Sequence, residues 1–144
     1  MNVSAKAEYA CLALIDMALQ RDATPLVQTS ELAKRNAIPE RFLVQILLQL
    51  KGAGLVQSVR GASGGYRLSV DPRKINLLEV VRLVDGPSGF GAAESAAPPS
   101  VGRQVLQSVW RKVTDHEEQL LREISIADLA ESAGKLDYPD MYYI

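Results

Sequence analysis

Arg41, Val44, Gln45 and Leu48 recur at i, i+3, i+4 and i+7, the spacing that puts four side chains on one face of a helix. Together they carry a guanidinium, a carboxamide and apolar carbons. A guanidinium can bond guanine through two donors, a carboxamide can do the same with adenine, and apolar carbons can meet a thymine methyl. Leu43, Ile46, Leu47 and Leu50 fall on the opposite side and supply a face to bury. A merely solvated helix face would give the same pattern, so it does not decide the matter alone.

A second group gathers at Arg60, beside Gly61, Gly64 and Gly65. Glycines let a backbone turn tightly and approach another molecule closely. A basic side chain at such a tip can enter a narrow minor groove or hold phosphate. An ordinary glycine hairpin reads the same way. Helix face, hairpin and positive charge in one register are far more specific than any one of them.

The charge is there. The net charge of −1 hides eleven bases against eight acids in residues 1–86, and five against nine in the remainder. Residues 26–67 carry six bases against Glu31 and Glu40 alone, a local field of the sign that attracts phosphate. Other chemistries find no footing. The chain has no paired nucleophile and base, no metal-spaced ligand set and no phosphate-loop pattern, so it is not expected to be an enzyme. The glycines at 61–65 follow a strand but lead into another strand, unlike a nucleotide loop.

These groups need elements to hold them. Ser4 caps a first helix with Tyr9, Leu12, Ala13 and Met17 at helical spacing, ending near Arg21-Asp22. Leu26-Val27 is a short extended stretch, after which Thr29 or Ser30 caps a short helix through Arg35, with Glu31 at its positive end. Asn36-Ala37 turns into a helix over 39–51, stopped by Gly52 and Gly54. Strands over 55–60 and 66–70 flank the glycine turn. Two short helices joined by a tight turn and followed by a hairpin outline a winged helix-turn-helix.

Asn76 caps a further helix over 77–84, closed by Gly86-Pro87. Residues 88–100 are rich in Gly, Ala, Ser and Pro and read as a flexible loop. A long helix follows over 101–123, with Leu106, Val109, Val113, His116 and Leu120 alternating three and four apart, the seam of a helix that packs on another. Ser125-Ile126-Ala127-Asp128 opens a last short helix ending near Gly134. The expected fold class is therefore mainly α, with a two-stranded β wing. A DNA-binding domain spans 1–86, a loop 87–100, a dimerisation helix and terminal helix 101–134, and a tail 135–144. The 144 residues carry no apolar run of membrane-spanning length and no secretion signal, and a single cysteine suits a reducing cytoplasm.

The stretch Leu43-Val44-Gln45-Ile46-Leu47, with Ala53-Gly54-Leu55-Val56-Gln57-Ser58-Val59-Arg60-Gly61-Ala62-Ser63-Gly64-Gly65-Tyr66-Arg67-Leu68, resembles the signature of the Rrf-two family of bacterial winged-helix regulators (IscR, NsrR and CymR type). The likeness runs from Ser4-Ala5-Lys6 through Val84-Asp85-Gly86-Pro87, and more weakly through Ile126-Ala127-Asp128-Leu129. It implies a homodimer, joined largely through the long helix, on a partly palindromic double-stranded operator. By that resemblance Arg41, Phe42, Val44 and Gln45 face the bases, and Arg60 with the glycine turn makes the wing contact. Val44 stands where some members have an acidic residue that discriminates operator classes. The expected contact set is Ser30, Arg41, Phe42, Val44, Gln45, Arg60, Gly61, Ser63, Gly64, Gly65 and Tyr66. The expected dimer interface is Leu106, Val109, Trp110, Val113, His116 and Leu120.

Many members of that family sense through a cluster held by three cysteines in the loop before the long helix. Residues 89–100 here hold none, and Cys11 and His116 are the sole thiol and imidazole, on different helices. No iron–sulfur cluster, metal or other cofactor is expected. Cys11 reads more simply as a small helix residue than as a redox switch. The ending Met141-Tyr142-Tyr143-Ile144 resembles that of the cluster-free CymR-like branch, which partners with cysteine synthase. Tyr142, Tyr143 and Ile144 could thus dock a partner through aromatic area and the terminal carboxylate, or pack on the chain's own dimer. The function implied is a homodimeric repressor of sulfur or cysteine metabolism genes; the alternative is an adaptor acting through its tail on such an enzyme.

Overall fold

Ser4 opens the first helix, α1 (Ala5–Gln20), its hydroxyl accepting from the Ala7 N–H at 3.0 Å. The computed structural model describes residues 2–22, 26–87 and 100–137. After α1 come α2 (Thr29–Arg35), α3 (Glu40–Gly52), the strands β1 (Val56–Val59) and β2 (Gly65–Leu68), a 3-10 turn (Pro72–Lys74), α4 (Leu77–Asp85), α5 (Val101–Glu123) and α6 (Ile126–Asp137). Mainly helical with one antiparallel hairpin, the chain has the winged-helix architecture its sequence implies. No helix among the described residues is long and apolar enough to cross a membrane.

The core forms where α1 meets α3, α4 and α6. Ala7, Ala10 and Ala13 are fully buried along α1, and such small side chains let neighbouring helices approach closely. Leu14 and Met17 from α1, Leu32 from α2, Leu43, Ile46, Leu47 and Leu50 from α3, and Ile126 from α6 fill the space between. Each large side chain so buried is worth about 1.5–3 kcal/mol. The burial of Ile126 ties the C-terminal helix to the same core as α1. Cys11 packs against this core half-buried, and desolvation, with Glu8 and Asp85 nearby, pushes its thiol up to about 11. Little thiolate then exists near neutral pH, which fits a packing residue rather than a reactive one.

Among the described residues, one ionic group lies inside. Asp16 is 7% exposed and accepts from Arg35 Nε at 3.0 Å, Arg35 Nη2 at 2.8 Å and Asn36 Nδ2 at 2.8 Å. This clamp joins α1 to the turn between α2 and α3. Ala37, in that turn, sits at φ 51, a left-handed conformation that an L-residue adopts at a cost of about 1–2 kcal/mol. The clamp fixes a turn the chain does not favour locally.

Three local expectations change. Neither Thr29 nor Ser30 caps α2; both lie in its first turn, and Gln28 occupies the cap with no side-chain bond. Val27 is pinned to Tyr66 by paired backbone bonds of 2.8 Å, so the chain leaves that bridge and turns helical one residue sooner. The strands are shorter than their alternating runs, because pairing begins at Val56↔Leu68 and ends at Val59↔Gly65. The last helix does not stop at Gly134 but runs on to Asp137. Gly134 there faces Leu19 of α1, and packing outweighs the weak helix preference of glycine.

Candidate nucleic-acid interface

The recognition face begins with what α3 buries. With Leu43, Ile46, Leu47 and Leu50 fixed in the core, the helix must turn Arg41, Val44, Gln45, Leu48 and Gln49 outward, and all five are exposed. Val44 and Leu48, at 46% and 57% exposed, have no packing role that would explain apolar residues there. Phe42 differs from its expected neighbours. It packs partly against the core, and its ring lies under the Arg41 guanidinium at 4.8 Å, with Lys6 at 6.0 Å. Phe42 thus steers a cation rather than pointing outward as Arg41 does. Gln49 was not expected; it continues the series Arg41, Gln45 by four residues, and that spacing was available in the sequence.

The wing is locked to this helix. Leu55 N–H donates to the Leu50 carbonyl at 3.0 Å, Ser69 Oγ donates to the Gly54 carbonyl at 2.7 Å, and Lys51 Nζ donates to Ser58 Oγ at 2.8 Å. Across the hairpin, Arg67 donates to Gln57 Oε1 at 3.2 and 3.3 Å. Arg60, Gly61 and Ser63 are exposed at the tip. Tyr66 is half-buried against the core while its backbone holds Val27, so its first task is structural.

Gly64 and Gly65 are demanded by the chain's own backbone. A Cβ at Gly64 would collide with the Val59 carbonyl oxygen, and one at Gly65 would lie 2.6 Å from that of Val27. The Val27–Tyr66 bonds leave that carbonyl no freedom to retreat. Gly65→Ala is expected to cost about 1–3 kcal/mol, as overpacking does, and to loosen the wing. A thermal melt checks this; an unchanged midpoint would mean that the wing yields.

Between wing, α2 and the end of α3 lies a cleft of about 530 Å³, lined by Gln28, Thr29, Lys51, Ser58, Arg60 and the wing glycines among others. Two cations and several hydroxyl or amide donors around one cleft suit phosphate and sugar oxygens. Lys51, Gln28, Thr29 and Ser58 escaped the sequence reading because their meeting depends on the 2.8 Å link between α3 and β1. Ser30 is exposed in the first turn of α2, near that cleft in sequence but not among its lining residues.

The long helix presents the other surface. None of its side chains is buried, and Leu106, Val109 and Leu120 are 49%, 44% and 59% exposed. His116 is exposed on the same helix, while Val113 and Trp110 are half-buried. Its C-terminal part is anchored by Arg82 of α4, paired with Glu118 at 2.6 Å. Tyr142, Tyr143, Ile144 and most of the 87–100 loop lie outside the described residues.

Comparison with known proteins agrees with this geometry. Residues 3–132 match the family model Rrf2, described as an iron-dependent transcriptional regulator. A putative HTH-type transcriptional regulator of Mycobacterium tuberculosis, Rv1287, is 37% identical over 139 residues, covering 92% of this chain and 83% of that protein. CymR of Bacillus subtilis is 29% identical over 145 residues, covering both chains fully. The solved structure of that global cysteine regulator superposes with a TM-score of 0.77 over 92% of this chain and 98% of that one, at 26% identity. The IscR structure from T. potens gives a TM-score of 0.76 at 34% identity, covering 92% and 88%. These relatives are regulators of transcription rather than enzymes. With its helix face, wing and family match, this chain belongs to the Rrf2 family of DNA-binding transcriptional regulators.

Proposed function

We propose that the chain is a homodimeric repressor of sulfur or cysteine metabolism genes that works without an iron–sulfur cluster. The observation that carries the DNA-reading part is the outward face Arg41, Val44, Gln45, Leu48 and Gln49, held beside the Arg60 wing and its cationic cleft. The base contacts fall to Arg41, Gln45 and Gln49, with Val44 and Leu48 meeting thymine methyls. Lys51 and Arg60 hold the phosphates, which position the helix without choosing the sequence. The apolar face of α5 supplies the dimer contact, and two copies of α3 then read a partly palindromic site. The physiological assignment leans on likeness to CymR, which matches along its whole length.

The family description speaks of iron, and the donor set here does not fit a cluster. The chain offers one thiol and one imidazole in all. Cys11 is half-buried on α1 with its thiol held protonated, and His116 is exposed on α5. Cluster iron asks for several such ligands converging on one point. Protein purified without oxygen is expected to be colourless and free of sulfide; visible absorbance that tracks bound iron and sulfide would overturn this part.

Selection of genomic fragments by the purified protein, followed by sequencing, tests the assignment. Partly palindromic fragments upstream of sulfur or cysteine genes are expected. Enrichment elsewhere would overturn the regulon, and no enrichment would overturn the DNA reading itself.

A further inference from the structure

A second cleft, of about 570 Å³, shares no residue with the wing cleft. It opens where the end of α3, the root of the wing, α4 and the end of α5 meet. Ala53, Leu55, Leu78 and Leu83 give it apolar walls, and Asn76, Glu79, Arg82 and Arg122 give it polar ones. Its volume falls within the range of about 300–1,000 Å³ usual for small-molecule sites.

The charges around it are of both signs. Arg82 is already neutralised by Glu118 at 2.6 Å. Arg122 donates to the neutral amide of Gln119 at 3.3 Å, and among the described residues it meets no carboxylate within ion-pair distance. Glu79, likewise, meets no cation within that distance among the described residues, while its backbone N–H is taken by Asn76 Oδ1 at 2.9 Å. One uncompensated cation and one uncompensated carboxylate thus line an apolar cleft. A simple carboxylate would satisfy Arg122 and be repelled by Glu79; a simple amine would do the reverse. A ligand that carries a carboxylate, an ammonium and a short apolar chain answers all three kinds of wall.

We propose that this cleft binds a small α-amino acid as its zwitterion. The carboxylate sits at Arg122, the ammonium at Glu79, and the side chain against Leu55, Leu78 and Leu83. The position also gives the ligand a consequence. Leu77 N–H donates to the Ile124 carbonyl at 2.9 Å and Ile126 N–H to the Ile75 carbonyl at 2.8 Å, so the end of α5 is stitched to the start of α4 beside the cleft. A ligand touching Ala53, Leu55 and Arg122 at once bears on the recognition helix, the wing and the long helix. It therefore shifts DNA affinity, a consequence that rests on the DNA-binding reading above, whereas the binding itself does not.

Calorimetry on the intact chain without DNA tests the binding. The probes are L-alanine, L-cysteine, L-valine and L-methionine, with propionate and ethylamine as analogues carrying one charge each. At least one amino acid is expected to bind once per chain, with affinity falling about tenfold or more in Arg122→Gln and in Glu79→Gln, and for both analogues. Both residues are exposed, so a circular-dichroism melt should show the variants folded as the parent. No heat from any amino acid at about 10 mM would overturn the proposal, a concentration that spans even the millimolar regime of weak binding. Equal binding in both variants, or propionate binding as well as the amino acid, would also overturn it. Adding the bound amino acid to a DNA titration should move the midpoint about fivefold or more, in either direction. An unmoved midpoint on DNA that binds normally would overturn the regulatory step; absence of DNA binding would instead indict the DNA reading.

Discussion

Arg35→Ala is expected to lower the stability of the folded chain by about 3 kcal/mol, at the lower end for breaking a buried ion pair. The charge left behind is the reason. Asp16 is almost wholly enclosed, with its side chain 8% exposed, and loses two of its three donors when Arg35 goes. Only the Asn36 amide would remain to compensate the carboxylate. Arg35 is itself 40% exposed, which argues for discounting the upper range of such effects. Asp16→Ala should cost less, about 2 kcal/mol, because water can reach the abandoned guanidinium while Asn36 keeps its bond to the Leu32 carbonyl. The double variant should be less unstable than the sum of the two, since a single interaction is lost. Urea denaturation of the four proteins measures this. A change under about 0.5 kcal/mol for Arg35→Ala would place the pair among ordinary surface salt bridges. The effect should extend to DNA, because the same clamp holds the left-handed Ala37 turn that aims α3.

Changing Leu106 and Val109 together to glutamate should abolish assembly while sparing the fold. Neither residue belongs to the core and about half of each is already in solvent within the single chain, so the protomer loses little by the exchange. With about half of each residue left to cover, each would give up about 0.7–1.5 kcal/mol of apolar burial in a dimer, and each is counted on both protomers. The total, about 3–6 kcal/mol, joined by the cost of enclosing four unpaired carboxylates, compares with about 8 kcal/mol for a whole micromolar association, so the dimer should not survive it. Sedimentation should find a monomer with an unchanged thermal midpoint for its own core, and operator affinity should fall with assembly. A stable dimer of the variant would move the interface off this helix.

Much of the fold is legible in the residues. Ser4 and Asn76 announce two helix starts through side chains that do cap, and the α3 pattern fixes which face turns outward. What escaped depends on partners distant in the chain. Thr29 and Ser30 are better caps by type than Gln28, yet the bridge from Val27 to Tyr66 sets where α2 begins. Gly134 looks like a stop until Leu19 is beside it. At the site, Arg41 and Gln45 can be found by spacing, whereas Lys51 joins it only through Ser58. Gly64 and Gly65 suggested approach to a foreign molecule, and the close approach is to the chain's own carbonyls. Periodicity reads one element well and cannot read two at once.

A salt titration of binding to a selected operator fragment tests the central claim most directly, run on the parent chain, Arg41→Ala and Arg60→Ala. The parent is expected to weaken steeply as salt rises, since phosphate contacts release counterions. Arg41→Ala should lose about 1–3 kcal/mol and relax discrimination at one base pair in each half-site. Arg60→Ala should weaken all fragments alike and flatten the salt slope by about one phosphate contact per wing. Binding by the parent that ignores salt, or two variants that bind as tightly and as selectively as the parent, would contradict the account.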